Sequence, residues 1–482
     1  MRLIIFSFVV LFLCIYAWRD WYKSLCGLVV MMAIINHESM PEAMFGIVGL
    51  NPSNMLLLNV ILAWMAAKKR EQRQWDMPAG VNFLLFAYTA VVLVALIRYG
   101  FNQEGARELA AVSGRRPETF FEVFADNFIN SFKWVFPGIL LYSGCNSKER
   151  FLWGMVSLML MYLALAVLVI RWMPLGLLVD GDALQRRAAK ILGREIGYYR
   201  TNLSVMLAGA FWMIMAAKHY FADKYSLPCY GCAGIVLMAM MLTGGRGGYL
   251  AWAVVGVIVS FAKYRKYLIL APPMVLLVLT FVPSVKERMM MGFGDSAKHE
   301  YKTTAEGTVD ENNLGTISAG RTLVWPLVVD EVLKAPLFGH GFGGIVSSGI
   351  SIAMYEKYNH TYHHPHNAYL QTLIDNGILG TLPILLFYFV IVKYSWSLFR
   401  DARSGTYILA GGGAFAIVMT LLVASLTGQS FYPEERSFGV WCAMGLMLRV
   451  YVERLKLDGP KEKRKWKKSP VSNGIIWEER PL

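Results

Sequence analysis

Apolar runs long enough to cross a bilayer recur along the whole of this sequence, and that feature limits what the chain can fold into. A hydrocarbon core about 30 Å thick takes roughly 20 residues of helix, and inside it every backbone N–H and C=O has to be bonded within its own segment. The runs fall at about 3–18, 22–36, 53–67, 80–98, 131–144, 151–172, 201–217, 226–242, 248–262, 267–283, 366–394, 406–427 and 436–452. They predict an all-α, polytopic integral membrane protein of about 12–13 transmembrane helices. Composition agrees, since 56% of the 482 residues are hydrophobic and only 17% are charged, with a mean hydropathy of +0.43. A soluble domain of this size does not carry so little charge. No small-residue cleavage site follows the first run, so 3–18 reads as an uncleaved anchor.

Short basic loops stay on the cytoplasmic side of a membrane. Lys68, Lys69 and Arg70; Lys148 and Arg150; Lys263, Arg265 and Lys266; Arg400 and Arg403; and the stretch from Arg454 to Lys468 all fall on one side of the span order. The segments 99–130, 173–200, 284–365 and 428–435 then face the other, external side. Thirteen spans leave the N-terminus outside, and twelve place it inside. The expected organisation is an N-terminal transmembrane region at 1–200, a core at 201–452 that includes the large external loop 284–365 between late spans, and a basic cytoplasmic tail at 453–482.

Net charge is +14 and the pI about 9.4, much of it in the cytoplasmic loops and the KEKRKWKK tail; no nucleic-acid motif is present. The 173–200 loop breaks the charge rule, because it counts as external yet carries Arg186, Arg187, Lys190, Arg194 and Arg200. Either the count slips there or an anionic partner wants the charge. Residues 99–130 mix charges and aromatics as an amphipathic surface helix does. Of the six cysteines, Cys229 and Cys232 form a CxxC, but it opens a span, and no disulfide framework or redox unit follows. In 284–365, a polar, Gly-containing stretch precedes a helical pattern, RTLVWPLVVDEVLK, and a glycine-rich turn.

Three groups converge on the external face by topology alone. Arg246 stands in TGGRGGY at the end of a span, where a charged side chain faces a cavity or a partner or snorkels to the interface. Gly245 and Gly247 beside it let a ligand or another helix approach the backbone. Arg321 in SAGRTLVW opens a helix, whose N-terminus attracts anions. Two arginines, permanently charged and fork-shaped, suit a diphosphate. The third group is HTYHHPHN, where His360, His363, His364 and His366 crowd into seven positions and hold four of the eight histidines. They could supply metal ligands, yet no pair has the spacing of a helical HExxH site with its acid. The alternative puts Pro365 at the first position of the next helix and His366 in its first turn, where the helix dipole keeps the imidazole neutral and fit to act as a general base.

GGRGG, GR(x)3W, PLFGHGFGG and HPHNAYLQTLIDNGILG in this order resemble the bacterial O-antigen ligase/polymerase family over about residues 201–427. The opening third resembles, more loosely, the N-terminal region of its exopolysaccharide members. The resemblance implies a GT-C-like, metal-independent, inverting glycosyltransferase of the bacterial inner membrane, without cofactors. Such enzymes move a glycan from undecaprenyl diphosphate to an acceptor hydroxyl on the periplasmic side. It implies roles for Arg246 and Arg321 on the donor diphosphate and for His366 in activating the acceptor. Asn367 would orient the loop; the resemblance gives His363 and His364 no role, and in the helix reading His364 caps that helix or assists its neighbour. The acceptor is a growing glycan for a polymerase, the favoured reading, with lipid A core for a ligase or a protein for an O-oligosaccharyltransferase as alternatives. Membrane lipids and other polysaccharide-assembly proteins are the further partners expected. The tract 284–320 would be a mobile cover and the 173–200 loop an anion guide. A transporter or flippase of lipid-linked sugars is the non-enzyme alternative; it would place polar groups at the bilayer midplane and repeat its halves, whereas the informative residues here gather at one face.

Overall fold

The computed structural model describes residues 2–37, 40–41, 43–44, 47–71, 75–221, 225–290, 321–358, 362–428 and 430–459. The expectations placed on 291–320, on His360 and on the tail from 460 onward lie outside these residues. The chain is an all-α polytopic membrane protein. Among the described residues, strand is confined to a two-residue antiparallel pair, Ala43–Met44 with Ile47–Val48.

The first half comprises α1 (Arg2–Ala17), α2 (Trp21–Met31), α3 (Pro52–Glu71), α4 (Ala79–Phe101), the short α5 (Glu104–Val112), α6 (Phe120–Phe124) and α7 (Asn130–Phe132), then α8 (Phe136–Gly144) and α9 (Lys148–Trp172). The second half runs α10 (Gly181–Glu195), α11 (Arg200–Ala217), α12 (Ser226–Thr243), α13 (Arg246–Ala262), α14 (Arg265–Phe281), α15 (Pro283–Met290), α16 (Arg321–Lys334), α17 (Gly344–Ser347), α18 (Ile350–Tyr358), α19 (Ala368–Arg400), α20 (Gly405–Ala424) and α21 (Phe438–Asp458). Every expected span coincides with one of these helices or, at 131–144, with the pair α7 and α8. Five of them, α4, α9, α12, α19 and α20, are long and apolar enough to cross a membrane by length and composition.

Apolarity on all sides of a helix marks it for the interior, because no face is left to prefer water. α11, α20 and α21 have that character and form the centre of the bundle, buried along most of their length. Lipid-type surface survives on the periphery, with Phe86, Ile269 and Phe389 all exposed.

The loops sort to two ends. At one end, Asp20 and Glu71 meet Arg150, Asp76 meets Arg449 and Lys456, and Asp401 meets Arg403 and Arg454. The last helix continues to Asp458, past the expected boundary at 452, and Arg454 ties it to the end of α19 instead of belonging to a free tail. At the other end lie the helical pieces of 99–130, 173–200, 283–290 and 321–358. Glu287 of α15 accepts from the Gly181 N–H that starts α10 at 2.7 Å, and α17 and α18 pack on α5. The segment 99–130 is two units: α5, then α6 closed by a capping box between Thr119 and Glu122.

α10 explains the misplaced basic charge of 173–200. Leu184, Ala188 and Leu192 are buried on one face while Arg186, Arg187, Lys190 and Arg194 line the outer one, so the helix lies on the bundle end as an amphipathic element.

Candidate active site

Only Gly244 and Gly245 separate α12 from α13. Gly244 closes α12 with a left-handed backbone (φ 65°) and Gly245 caps α13, so Arg246 is the first residue of that helix. The glycines around it are packed by the chain itself. A Cβ on Gly245 would stand 2.5 Å from Cβ of Ser204 in α11, and one on Gly248 2.0 Å from the Ser204 hydroxyl, which donates to the Gly245 carbonyl at 2.8 Å. A Cβ on Gly247 would stand 2.7 Å from the Thr427 hydroxyl. Of the two partners expected for these bare positions, ligand or helix, neighbouring helices and the turn after α20 occupy them.

Arg321 opens α16 and donates through Nη2 to the Thr427 carbonyl at 2.9 Å. Its Nε is buried without a hydrogen-bond partner among the described residues. Burial, and then the Arg246 guanidinium nearby, push the Arg321 pKa below the usual arginine value. Arginine does not give up its proton under such pressure. The two like charges therefore disfavour one another at this place. One helical turn on, Trp325 of the same GR(x)3W element donates to the Pro365 carbonyl at 2.9 Å, fastening α16 to the histidine loop.

That loop differs from its expected form. α19 begins at Ala368, and Asn367 is its cap, with Oδ1 accepting from Tyr369 N at 2.9 Å and Leu370 N at 3.2 Å. The Ala368 N–H donates to the Ser425 carbonyl at 2.8 Å. Pro365 is thus not the first helical residue, and His366 precedes the cap. Asparagine wins because its side chain satisfies two orphan N–H groups, which proline cannot do. His366 has φ 52°, the only positive φ outside glycine among the described residues, and its ring packs edge-on against His364 with centroids 4.2 Å apart. Gly428 lies alongside; a Cβ there would be 3.6 Å from His366 Nδ1. His363 and His364 are exposed. Among the described residues, no three His, Cys, Asp or Glu side chains gather as metal ligands.

The turn 425–428 is therefore where the motifs meet. Ser425 receives the start of α19, Thr427 receives Arg321 and fills the space at Gly247 beside Arg246, and Gly428 borders His366. An apolar crevice lined by Val205, Met206, Ile417 and Leu421 opens next to it, with Ser430, Tyr432 and Arg436 at its polar rim.

A second layer, unassigned by sequence reasoning, sits about two turns along α19. Gly377 breaks the helix with φ 59° and ψ −167°. The PLFGHGFGG loop enters that break and supplies the missing partners: His340 N to Ile374 O at 2.7 Å, Gly341 N to Asp375 O at 2.8 Å, Ile378 N to Pro336 O at 2.8 Å and Leu379 N to Leu337 O at 3.1 Å. The fully buried Asp375 carboxylate accepts from Gly344 N at 2.7 Å, from the Gln371 amide at 2.8 Å and from the Tyr432 hydroxyl at 2.8 Å. Arg98, at the end of α4, donates to the carbonyls of Phe338 and Gly339. An acid and a glycine inside an apolar run, in LIDNGILG, were the available signal, since both are costly in a span without a structural reason.

Residues 231–385 match the O-antigen ligase family model, a segment that contains Arg246, Arg321, His366 and Asp375. The chain is also similar to an uncharacterized protein of Haemophilus influenzae, 24% identical over 39% of this chain and 50% of the relative. An O-antigen ligase of Pseudomonas aeruginosa is 24% identical over 28% of this chain and 31% of the relative. The chain thus spans half or less of the length of these curated relatives. With the motifs joined on one turn inside the matched segment, these likenesses support an O-antigen ligase/polymerase family assignment that rests on residues 231–385.

Proposed function

We propose that this chain is an inner-membrane glycosyltransferase that moves a glycan from undecaprenyl diphosphate to a sugar hydroxyl at the periplasmic face, and that it works as a polymerase of O-antigen or exopolysaccharide. The observation that carries the reading is the pair Arg246 and Arg321, kept within mutual electrostatic reach and tied through Thr427 to the turn that borders His366. A diphosphate leaves as an anion, and fixed positive charge where that charge develops lowers the barrier without a metal. His366 accepts the proton of the acceptor hydroxyl as its oxygen attacks the anomeric carbon. The bond to the diphosphate oxygen breaks with its electron pair leaving on the phosphate, and the anomeric configuration inverts. The apolar crevice beside the turn suits an isoprenoid segment, and the basic face of α10 suits an approaching anion.

The Pseudomonas relative's description as an O-antigen ligase favours the second reading, transfer to lipid A core. Deleting the chain separates the two. Single repeats left on the acceptor identify a polymerase, whereas a bare core with polymer held on the carrier lipid identifies a ligase. The transport reading draws on the broken α19, but that break is filled by the protein's own PLFGHGFGG loop instead of lining an open path.

The direct test uses purified protein with an undecaprenyl-diphosphate-linked donor. Arg246→Lys and Arg321→Lys keep the charge and lose the fork, so both should transfer glycan poorly while inserting normally. Wild-type turnover in both would sink the diphosphate clamp. EDTA should leave transfer unchanged; inhibition reversed by a divalent ion would replace the single-base mechanism with a metal one.

A further inference from the structure

At the end of the bundle opposite the arginines, α11 and α13 finish and α12 and α14 begin within side-chain reach of one another. Lys218, just past α11, donates to the Tyr230 hydroxyl of α12 at 2.7 Å and lies over its ring, 4.9 Å from the centroid. The Tyr230 hydroxyl is 3.0 Å from that of Tyr267 in α14. Lys266 reaches over the Tyr267 ring at 5.5 Å, and Tyr264 stacks on the same ring at 5.6 Å. Among the described residues neither Lys218 nor Lys266 forms an ion pair. Asp401, whose charge acts on Lys263, is already held by Arg403 and Arg454.

Among the described residues, Lys218 is thus held by a phenol hydroxyl and Lys266 lies against a phenol ring, with no acid paired to either, at a depth where aromatic rings commonly mark the boundary between hydrocarbon and water. Phenol hydroxyls hold a lysine in place without cancelling its charge. Exposed apolar side chains run away from the cluster along the same helices: Ile235 on α12, Val257 on α13, and Ile269 and Leu276 on α14. We infer that Lys218, Lys266, Tyr230 and Tyr267 form a binding site for the phosphodiester headgroup of an anionic phospholipid, whose acyl chains lie along α12 and α14. A free phosphate would meet the same charges but would gain nothing from the exposed apolar faces. Basic clusters between membrane helices take lipid headgroups in this way, each lysine contributing roughly a 5-fold gain in affinity.

The test is native mass spectrometry of the full-length protein in detergent, titrated with phosphatidylglycerol, phosphatidylethanolamine or sodium phosphate. Phosphatidylglycerol should remain bound at concentrations where phosphatidylethanolamine and inorganic phosphate do not. Lys218→Gln with Lys266→Gln should weaken that binding by about 25-fold, the product of two such steps. The corresponding double arginine variant should keep it, and Arg400→Gln with Lys68→Gln should leave it unchanged. Lys266 is exposed, so Lys266→Gln alone keeps the fold and should show the smaller loss even where the double variant does not purify. Equal retention of the two lipids by wild type, saturation by phosphate alone, or undiminished phosphatidylglycerol binding in Lys266→Gln would each overturn the site.

Discussion

His366 has a backbone with φ 52° and a ring against His364. Holding a side-chain-bearing residue there costs on the order of 1–3 kcal/mol, and such strain persists where surrounding contacts over-determine it. Those contacts are present on both sides: Trp325 fixes Pro365 just before it, and Asn367 caps α19 just after. Backbone and imidazole can therefore be tested apart. His366→Gly removes the strain together with the base, so it should keep or raise thermal stability while transfer falls by about 10²- to 10⁴-fold. His366→Ala should lose activity to the same degree, and His363→Ala, exposed and outside this clamp, should lose far less. Activity in His366→Gly near that of wild type would remove the base from the mechanism.

At the scale of elements, the unit that organises the site is α19 with the loop threaded into its break. A helix interrupted inside a membrane leaves backbone groups that lipid cannot bond, and here PLFGHGFGG bonds them. Gly377 is indispensable on two counts, a positive φ and a Cβ that would stand 2.3 Å from the Leu337 carbonyl carbon. Gly377→Ala should therefore lower the melting temperature of the detergent-solubilised protein and reduce transfer, with membrane insertion intact. Asn367→Ala should cost about 1 kcal/mol through loss of the cap alone. A Gly377→Ala protein as stable as wild type would show that the loop does not depend on the break. Asp375 joins three elements, α19, the PLFGHGFGG loop and the Tyr432 segment, so its replacement by alanine strands donors from all three.

For the molecule as a whole, the two ends differ in kind. One carries ion-paired networks such as Asp76 with Arg449 and Asp401 with Arg403, and the other carries the arginine pair, the histidine loop and the amphipathic α10. If the first end is cytoplasmic, a cysteine replacing exposed Ala402 should be shielded in intact cells, and one replacing exposed Arg115 should react with a membrane-impermeant thiol reagent. Labelling is read above the level of the unsubstituted chain, whose six cysteines form no disulfide. The reverse pattern would put the candidate site on the wrong side of the membrane for a periplasmic transfer.

Fold class was legible in the sequence because hydrocarbon forces each run to satisfy its own backbone, which makes a membrane helix a local property of its residues. The two arginines and His366 were legible as candidates for a similar reason, since charge in a span end and histidines at a membrane edge are costly wherever they point. What joins them was not legible. Ser425 and Thr427 meet α19 and α16 through main-chain carbonyls, which every residue type possesses, across 106 positions of sequence in the case of Arg321 and Thr427. The start of α19 slipped from Pro365 to Ala368 because Asn367 and the distant Ser425 carbonyl together satisfy its first N–H groups. The break at Gly377 likewise has meaning only with the loop that fills it. Local chemistry set the helices and named the candidate groups, and tertiary structure alone chose the turn on which they meet, because backbone hydrogen-bond partners leave no signature in residue type.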